Sequence, residues 1–196
     1  MLEYGVEIPQ ALKDGVVASL PRIRDIKDET LRRQTIDAWA LALAKSDFKK
    51  IGDIPGQGIP DGPIFGDQAQ HINGVATMAL DYVDTLESAL GEPLGADRDL
   101  LLVCALVHDV GKPFEFSPAN IKRWHDDPRP SGSPALRHTL YGVYIAFTVG
   151  FPEEVAHVCG CHSPEGELVT RSLYAMIIHQ VDRAYWHILK TAHRKW

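Results

Sequence analysis

Residues 97–112 read DRDLLLVCALVHDVGK. Leu100 to Val107 is an unbroken apolar run, and His108-Asp109 ends it abruptly. The stretch 97–110 is long enough for a helix and apolar on every side, which predicts a central buried helix rather than a surface one. Burying His108 and Asp109 without partners would cost several kcal/mol, so something must satisfy them. On its own the pair reads as a hydrogen-bonded helix C-terminus. The rest of the chain supplies a second reading.

On either side of this run the sequence is helices with punctuation. Upstream, 67–90 predicts a strong helix with His71, Val75, Met78 and Tyr82 along one face. Before it, IGDIPGQGIPDGPIFGD (51–67) has Gly or Pro at eight of seventeen positions and predicts a long loop. Residues 28–46 repeat Leu31, Thr35, Ile36, Trp39 and Leu43 at helical spacing, and a shorter helix is expected over 9–20. Downstream, 113–134 carries five prolines and predicts irregular chain with one helical turn at 119–124. Helices are expected over 135–149, from Pro152 to about Gly160, and over 170–191, where Tyr174, Ile177, Ile178, Val181 and Ile188 recur. There is no period-2 strand and no internal repeat. The expected class is all-α, with a helical N-terminal extension (1–50), a Gly/Pro-rich loop (51–66) and a main helical domain (67–192).

The chain has 196 residues and a mass of 21.7 kDa, enough for one domain or one domain with an extension. A net charge of −6 argues against a nucleic-acid polymer as partner, although a local basic pocket could still hold a phosphate. Cys104, Cys159 and Cys161 are too few and too irregular for a secreted disulfide framework. No apolar run reaches the ~18–20 residues of a membrane helix, and MLEYGVEIPQ lacks a signal-peptide pattern. A soluble, cytoplasmic protein without a membrane partner is expected; homo-oligomerisation stays open.

Nine histidines ask for an explanation. His71 precedes His108 by 37 residues, His138 follows Asp109 by 29, His162 comes 24 later, and Asp182 another 20, in IIHQVDRAYW. The order His71 … His108-Asp109 … Asp182, with ALVHDVGK and HQVDRA as its local motifs, resembles the HD-domain superfamily of metal-dependent phosphohydrolases over roughly residues 65–192. His138 and His162 are similar in order and spacing to the second-metal ligands of its dinuclear members. Those include the HD-GYP cyclic-dinucleotide phosphodiesterases and the mixed-valent di-iron oxygenases related to myo-inositol oxygenase. The chain departs from the HD-GYP pattern after His162, where CHSPEGE replaces the Gly-Tyr-Pro motif.

Carried over residue by residue, the resemblance implies an HD-domain helical bundle and two metals per chain. His71, His108, Asp109 and Asp182 would hold the first, and Asp109, His138 and His162 the second. Asp109 would bridge, since a carboxylate has two oxygens and can span cations ~3.5–4 Å apart. Four His and two Asp suit iron or manganese, with zinc or cobalt as alternatives, better than a thiolate zinc or an all-oxygen magnesium site. Lys112 resembles the family's HD-x-G-K lysine, implying contact with an anionic or hydroxyl group of substrate; its alternative is a solvated helix-end lysine. Arg137 and Arg183 are further candidates for a substrate phosphate, with surface ion pairing as the alternative. Asp67 shares a helical face with His71, and reads as support for that ring, a third-metal ligand, or a plain N-cap. His179 reads as a packed histidine or a site residue; His125, His157, His187 and His193 carry no assigned role.

Three functions compete. The first is a dinuclear hydrolase acting on a small phosphorylated metabolite or nucleotide through a metal-activated water, with Asp109 and Lys112 as its catalytic residues. The second is a di-iron oxygenase cleaving a C–C or C–P bond with O₂, built from the same ligands. The third is a non-catalytic ligand-binding module, against which the completeness of the ligand set argues.

Overall fold

Polar caps and apolar stripes divide the chain into helices at the expected places. The structure, a computed structural model, describes residues 2–56 and 65–193. Its helices are α1 (Gln10–Ser19), α2 (Glu29–Ala44), α3 (Gln68–Leu90), α4 (Arg98–Val107), α5 (Lys112–Glu115), α6 (Pro118–Asp126), α7 (His138–Thr148), α8 (Glu153–Cys161) and α9 (Leu173–Ala192). Asp28, Asp67, Asp97, Ser117 and Ser172 each accept a backbone N–H from the first turn that follows, so α2, α3, α4, α6 and α9 start where a short oxygen-bearing side chain stands. Gly91 closes α3 in the left-handed conformation (φ 73°) that suits glycine.

The apolar run behaves as its composition requires. From Leu101 to Val107 every side chain of α4 is buried, and the helix packs against α2, α3, α8 and α9. Each such side chain contributes roughly 1.5–3 kcal/mol on burial, which makes α4 the axis of the core. The N-terminal segment belongs to that core too. Trp39 of α2 is fully buried and donates its indole N–H to the Leu106 carbonyl at 2.8 Å, pinning α2 to the central helix two residues before His108. α1 packs on α2, and α2 also touches α7.

Three expectations need correction. The stretch 113–134 holds two helices, α5 and α6, instead of one turn. Pro113 and Pro118 fall in their first turns, where the missing N–H has no intrahelical partner to lose. A two-stranded antiparallel hairpin, β1 (Leu2–Glu3) with β2 (Val6–Glu7), stands near the N-terminus, too short to show alternation. Ile188 of α9 and Tyr82 of α3 are exposed, on the outer faces of their helices.

Residues 57–64 of the expected loop lie outside the described residues. Its two ends are held together: Gly56 N–H donates to Gly66 O at 3.1 Å, and Gln68 N–H to Ile54 O at 3.0 Å. This clasp fixes the start of α3, and with it His71. Among the described residues no helix is long and apolar enough to cross a membrane.

Candidate metal centre

α4 ends at Val107 and the chain turns sharply, with Val110 N–H on Val107 O (3.0 Å) and Lys112 N–H on Asp109 O (2.9 Å). The turn leaves His108 and Asp109 at the tip of a buried helix, where α3, α7, α8 and α9 bring their own polar residues. His71 comes from the second turn of α3, His138 from the first residue of α7, His162 from the end of α8, and Asp182 from the middle of α9.

All six side chains meet around one carboxylate. Asp109 Oδ2 lies 3.3 Å from His71 Nε2 and 3.5 Å from His108 Nε2, and Asp182 Oδ1 stands 3.2 Å from the same His71 nitrogen. Asp109 Oδ1 faces the other way, 3.3 Å from His138 Nε2 and 3.4 Å from His162 Nε2. One oxygen thus serves His71 and His108, the other His138 and His162. Close donor groupings also include His71, His108 and Asp182, and His108, Asp109 and His162. The rings and Asp109 are buried.

The opposite ring nitrogens explain why these rings point inward. His108 Nδ1 is 2.8 Å from Ala105 O, and His162 Nδ1 lies 3.0 Å from Val158 O, each a carbonyl of the ring's own helix. His138 Nδ1 is 2.6 Å from Glu115 Oε2, which also accepts the His138 backbone N–H at 2.6 Å. These partners only accept, so in the neutral rings the proton sits on Nδ1 and the Nε2 lone pair points at Asp109. Three lone pairs aimed at a carboxylate repel one another unless a cation sits between them. The Nε2 atoms of His71 and His108, 3.3 Å apart, share at most one proton, and Asp182 Oδ1 is buried without a hydrogen bond. The donor set fits a metal, and for borderline N/O ligands a transition metal.

Charge follows the same logic. Burial, reinforced by the neighbouring His162 and His71, pulls the pKa of His108 down to about 3. Burial likewise lowers His138. Burial alone would lower His162, but its contact with Asp109 raises it; burial alone would raise Asp109, but Lys112 first, then His108 and the hydrogen bonds from His162 and His71, hold it well below the usual carboxylate range. Asp182 is lowered too, its burial outweighed by His71 and His108.

Around this centre lies a cavity of about 190 Å³ lined by Asp109, Lys112, Glu115, Arg137, His138, His162, Asp182 and Trp186 among others. Lys112 is buried, not solvated. Its ammonium is 2.9 Å from Asp109 Oδ2 and lies over the rings of Phe116 and Trp186. Arg137 stands at the rim, held by Glu115 Oε1 and Glu165 Oε1 at 3.1 Å each. Arg183 does not line this cavity; it faces the neighbouring one. Asp67 is the N-cap of α3, exchanging hydrogen bonds with Gln70 in a capping box, while His71 Nδ1 has no hydrogen-bond partner. The reading of Asp67 as support for His71 is therefore corrected. His179 is buried and its Nδ1 sits 2.6 Å from the His162 carbonyl. Glu115 was not legible as a site residue: a lone Glu after a Lys-Pro pair carries no spacing signal.

A bundle that gathers His and Asp donors at the end of its central helix is a metal-binding α-helical class, and comparison with known proteins gives that class its family. The family model for the HD domain matches residues 69–185, more than half of the chain. The chain belongs to the HD domain family, a superfamily of metal-dependent hydrolases. Neither the curated proteins nor the solved structures compared with it give a match.

Proposed function

We propose that the chain is a dinuclear metal-dependent hydrolase acting on a phosphate ester of a small metabolite or nucleotide. The observation that carries this reading is the division of Asp109: Oδ2 toward His71 and His108, Oδ1 toward His138 and His162. In this reading His71, His108, Asp109 and Asp182 hold one cation, and Asp109, His138 and His162 the other, with iron or manganese the preferred ions. Such a pair would supply positive charge for phosphoryl oxygens and would lower the pKa of a bound water.

The protein's own groups do the rest. Lys112 neutralises Asp109 from the cavity side, and its ammonium lines the space an anion would enter. Arg137, fixed between two glutamates, orients the same anion from the rim. Glu115 holds the His138 ring in register. A phosphate-release screen over nucleotides and phosphomonoesters tests the reading, using protein loaded with manganese or iron and the Asp109→Asn variant as control. Phosphate release that disappears in Asp109→Asn supports it. Consumption of O₂ by the iron-loaded protein, without phosphate release from any ester, would replace it with the oxygenase.

A further inference from the structure

A second cavity, of about 340 Å³, adjoins the metal centre and shares His162, Ser163, Asp182 and Trp186 with it. That size lies at the low end of the ~300–1,000 Å³ typical of small-molecule sites. One wall is a stripe of α9. His179, Arg183, His187 and Lys190 are spaced by four, four and three residues, so they stack along one helical face, and all four line the cavity.

The stripe is positive, and its two full charges are held by no ion pair among the described residues. Arg183 and Lys190 have no hydrogen bond or ion pair among the described residues, in a chain whose net charge is −6. Asp182, the one acidic residue among those lining the cavity, is turned to His71. The nearby Glu167 is paired with Arg171 at 2.9 Å and acts on His179 and Arg183 only through space, without contact. Lys190 lies in the last turn of α9, where the helix dipole favours a cation, but Arg183 is at mid-helix and gains nothing from it. Two cations are too few for a polyanion, whose binding typically neutralises ~6–10 phosphates. They match one small anionic group.

We propose that this cavity is a subsite for a second anionic group of the substrate, so that the ligand class is a small molecule with an anion at the metal centre and another phosphate or carboxylate on Arg183 and Lys190. The proposal rests on the phosphoester reading for the first of those anions only. It also explains why two basic pairs, Lys112 with Arg137 and Arg183 with Lys190, line two different cavities that meet at shared residues.

Titration calorimetry on the metal-loaded full chain tests it with non-hydrolysable probes: propylphosphonate, then propane-, butane- and hexanebisphosphonate, and 4-phosphonobutyrate. The best-fitting two-anion probe should bind about tenfold more tightly than propylphosphonate, the gain of one well-placed charge-assisted contact. In the R183Q/K190Q double variant, with metal content measured alongside, that ratio should fall to about one. A larger gain for the bisphosphonates identifies phosphate as the second group; a larger gain for phosphonobutyrate identifies carboxylate. Equal affinity for all probes, or a gain that survives in R183Q/K190Q, overturns the subsite. Two-anion probes that bind through Arg183 while propylphosphonate fails to bind leave the subsite standing and refute the phosphoester reading of the metal centre.

Discussion

Replacing Gly111 with alanine isolates a steric requirement of the HDVGK turn. Gly111 has φ −82° and ψ −10°, a right-handed conformation open to any residue, so the methyl adds no backbone strain. By helix propensity alone it would gain up to ~1 kcal/mol. Space decides otherwise. A Cβ at position 111 would lie 2.7 Å from Gly142 N and 2.8 Å from the His138 carbonyl carbon, and nearer still to the His138 oxygen. All three are α7 backbone atoms and cannot swing aside as a side-chain tip would. Relief requires the start of α7 to retreat by about 1 Å, against the roughly 0.2 Å latitude of metal–ligand distances. His138 rides on that turn, with Nε2 3.3 Å from Asp109 Oδ1. We therefore expect Gly111→Ala to lose about 1–3 kcal/mol of stability through overpacking. The second metal should bind at least ~10–100-fold more weakly, the loss that follows when a ligand's support is disturbed. Urea unfolding and metal titration with elemental analysis measure the two effects. An alanine variant with an unchanged midpoint and full metal content would refute the reasoning.

Other substitutions separate the two halves of the site. His138→Ala or His162→Ala should empty the second site and leave much of the first, whose four ligands are untouched; elemental analysis showing both metals gone together would count against the division at Asp109. Glu115→Gln removes the charge that grips His138 at both Nδ1 and backbone N–H, and should weaken the second metal about 10–100-fold while the first is retained; undiminished affinity in a metal titration would refute that role. In chelated protein, the folded pKa values of His108 (about 3) and His138 lie below the 6.5 of an unperturbed histidine. The unfolded chain then binds more protons in the window below pH 6.5, so stability should fall on acidification, by at most ~1.4 kcal/mol per pH unit per group, with the raised His162 opposing. Urea midpoints that stay level or rise between about pH 7 and pH 5 would contradict this.

How much of this was readable in advance follows from where each signal lives. The apolar run of α4 and the stripes of α2, α3 and α9 announce themselves because burial acts on composition and period, both local. The six donors were readable as an ordered motif through the family resemblance, whereas His108-Asp109 alone reads as a hydrogen-bonded helix C-terminus. α5 was hidden, and α6 was foreseen only as one turn at 119–124, because five prolines read as breakers, although two of them fall in first turns where proline is tolerated. Glu115 was hidden for a different reason: its partner is 23 residues away and only the tertiary fold brings His138 onto it. The same holds for Arg137 and Arg183. Both were legible as cations near ligands, but their assignment to different cavities depends on which side of α9 and α7 each faces. Asp67 shows the converse, a shared helical face with His71 that the capping box uses instead.

The claim on which all of this depends is that Asp109 bridges two metals. Metal-to-chain stoichiometry on protein loaded with manganese or iron tests it most directly, with Asp109→Asn prepared in parallel. An amide offers one good metal-binding oxygen and no charge, so it cannot replace a carboxylate split between two cations. The account predicts two metals per chain in the unaltered protein, and weakened occupancy of both sites in Asp109→Asn with helix content retained. One metal or none in the unaltered protein under metal-replete conditions, or two in Asp109→Asn, would contradict it.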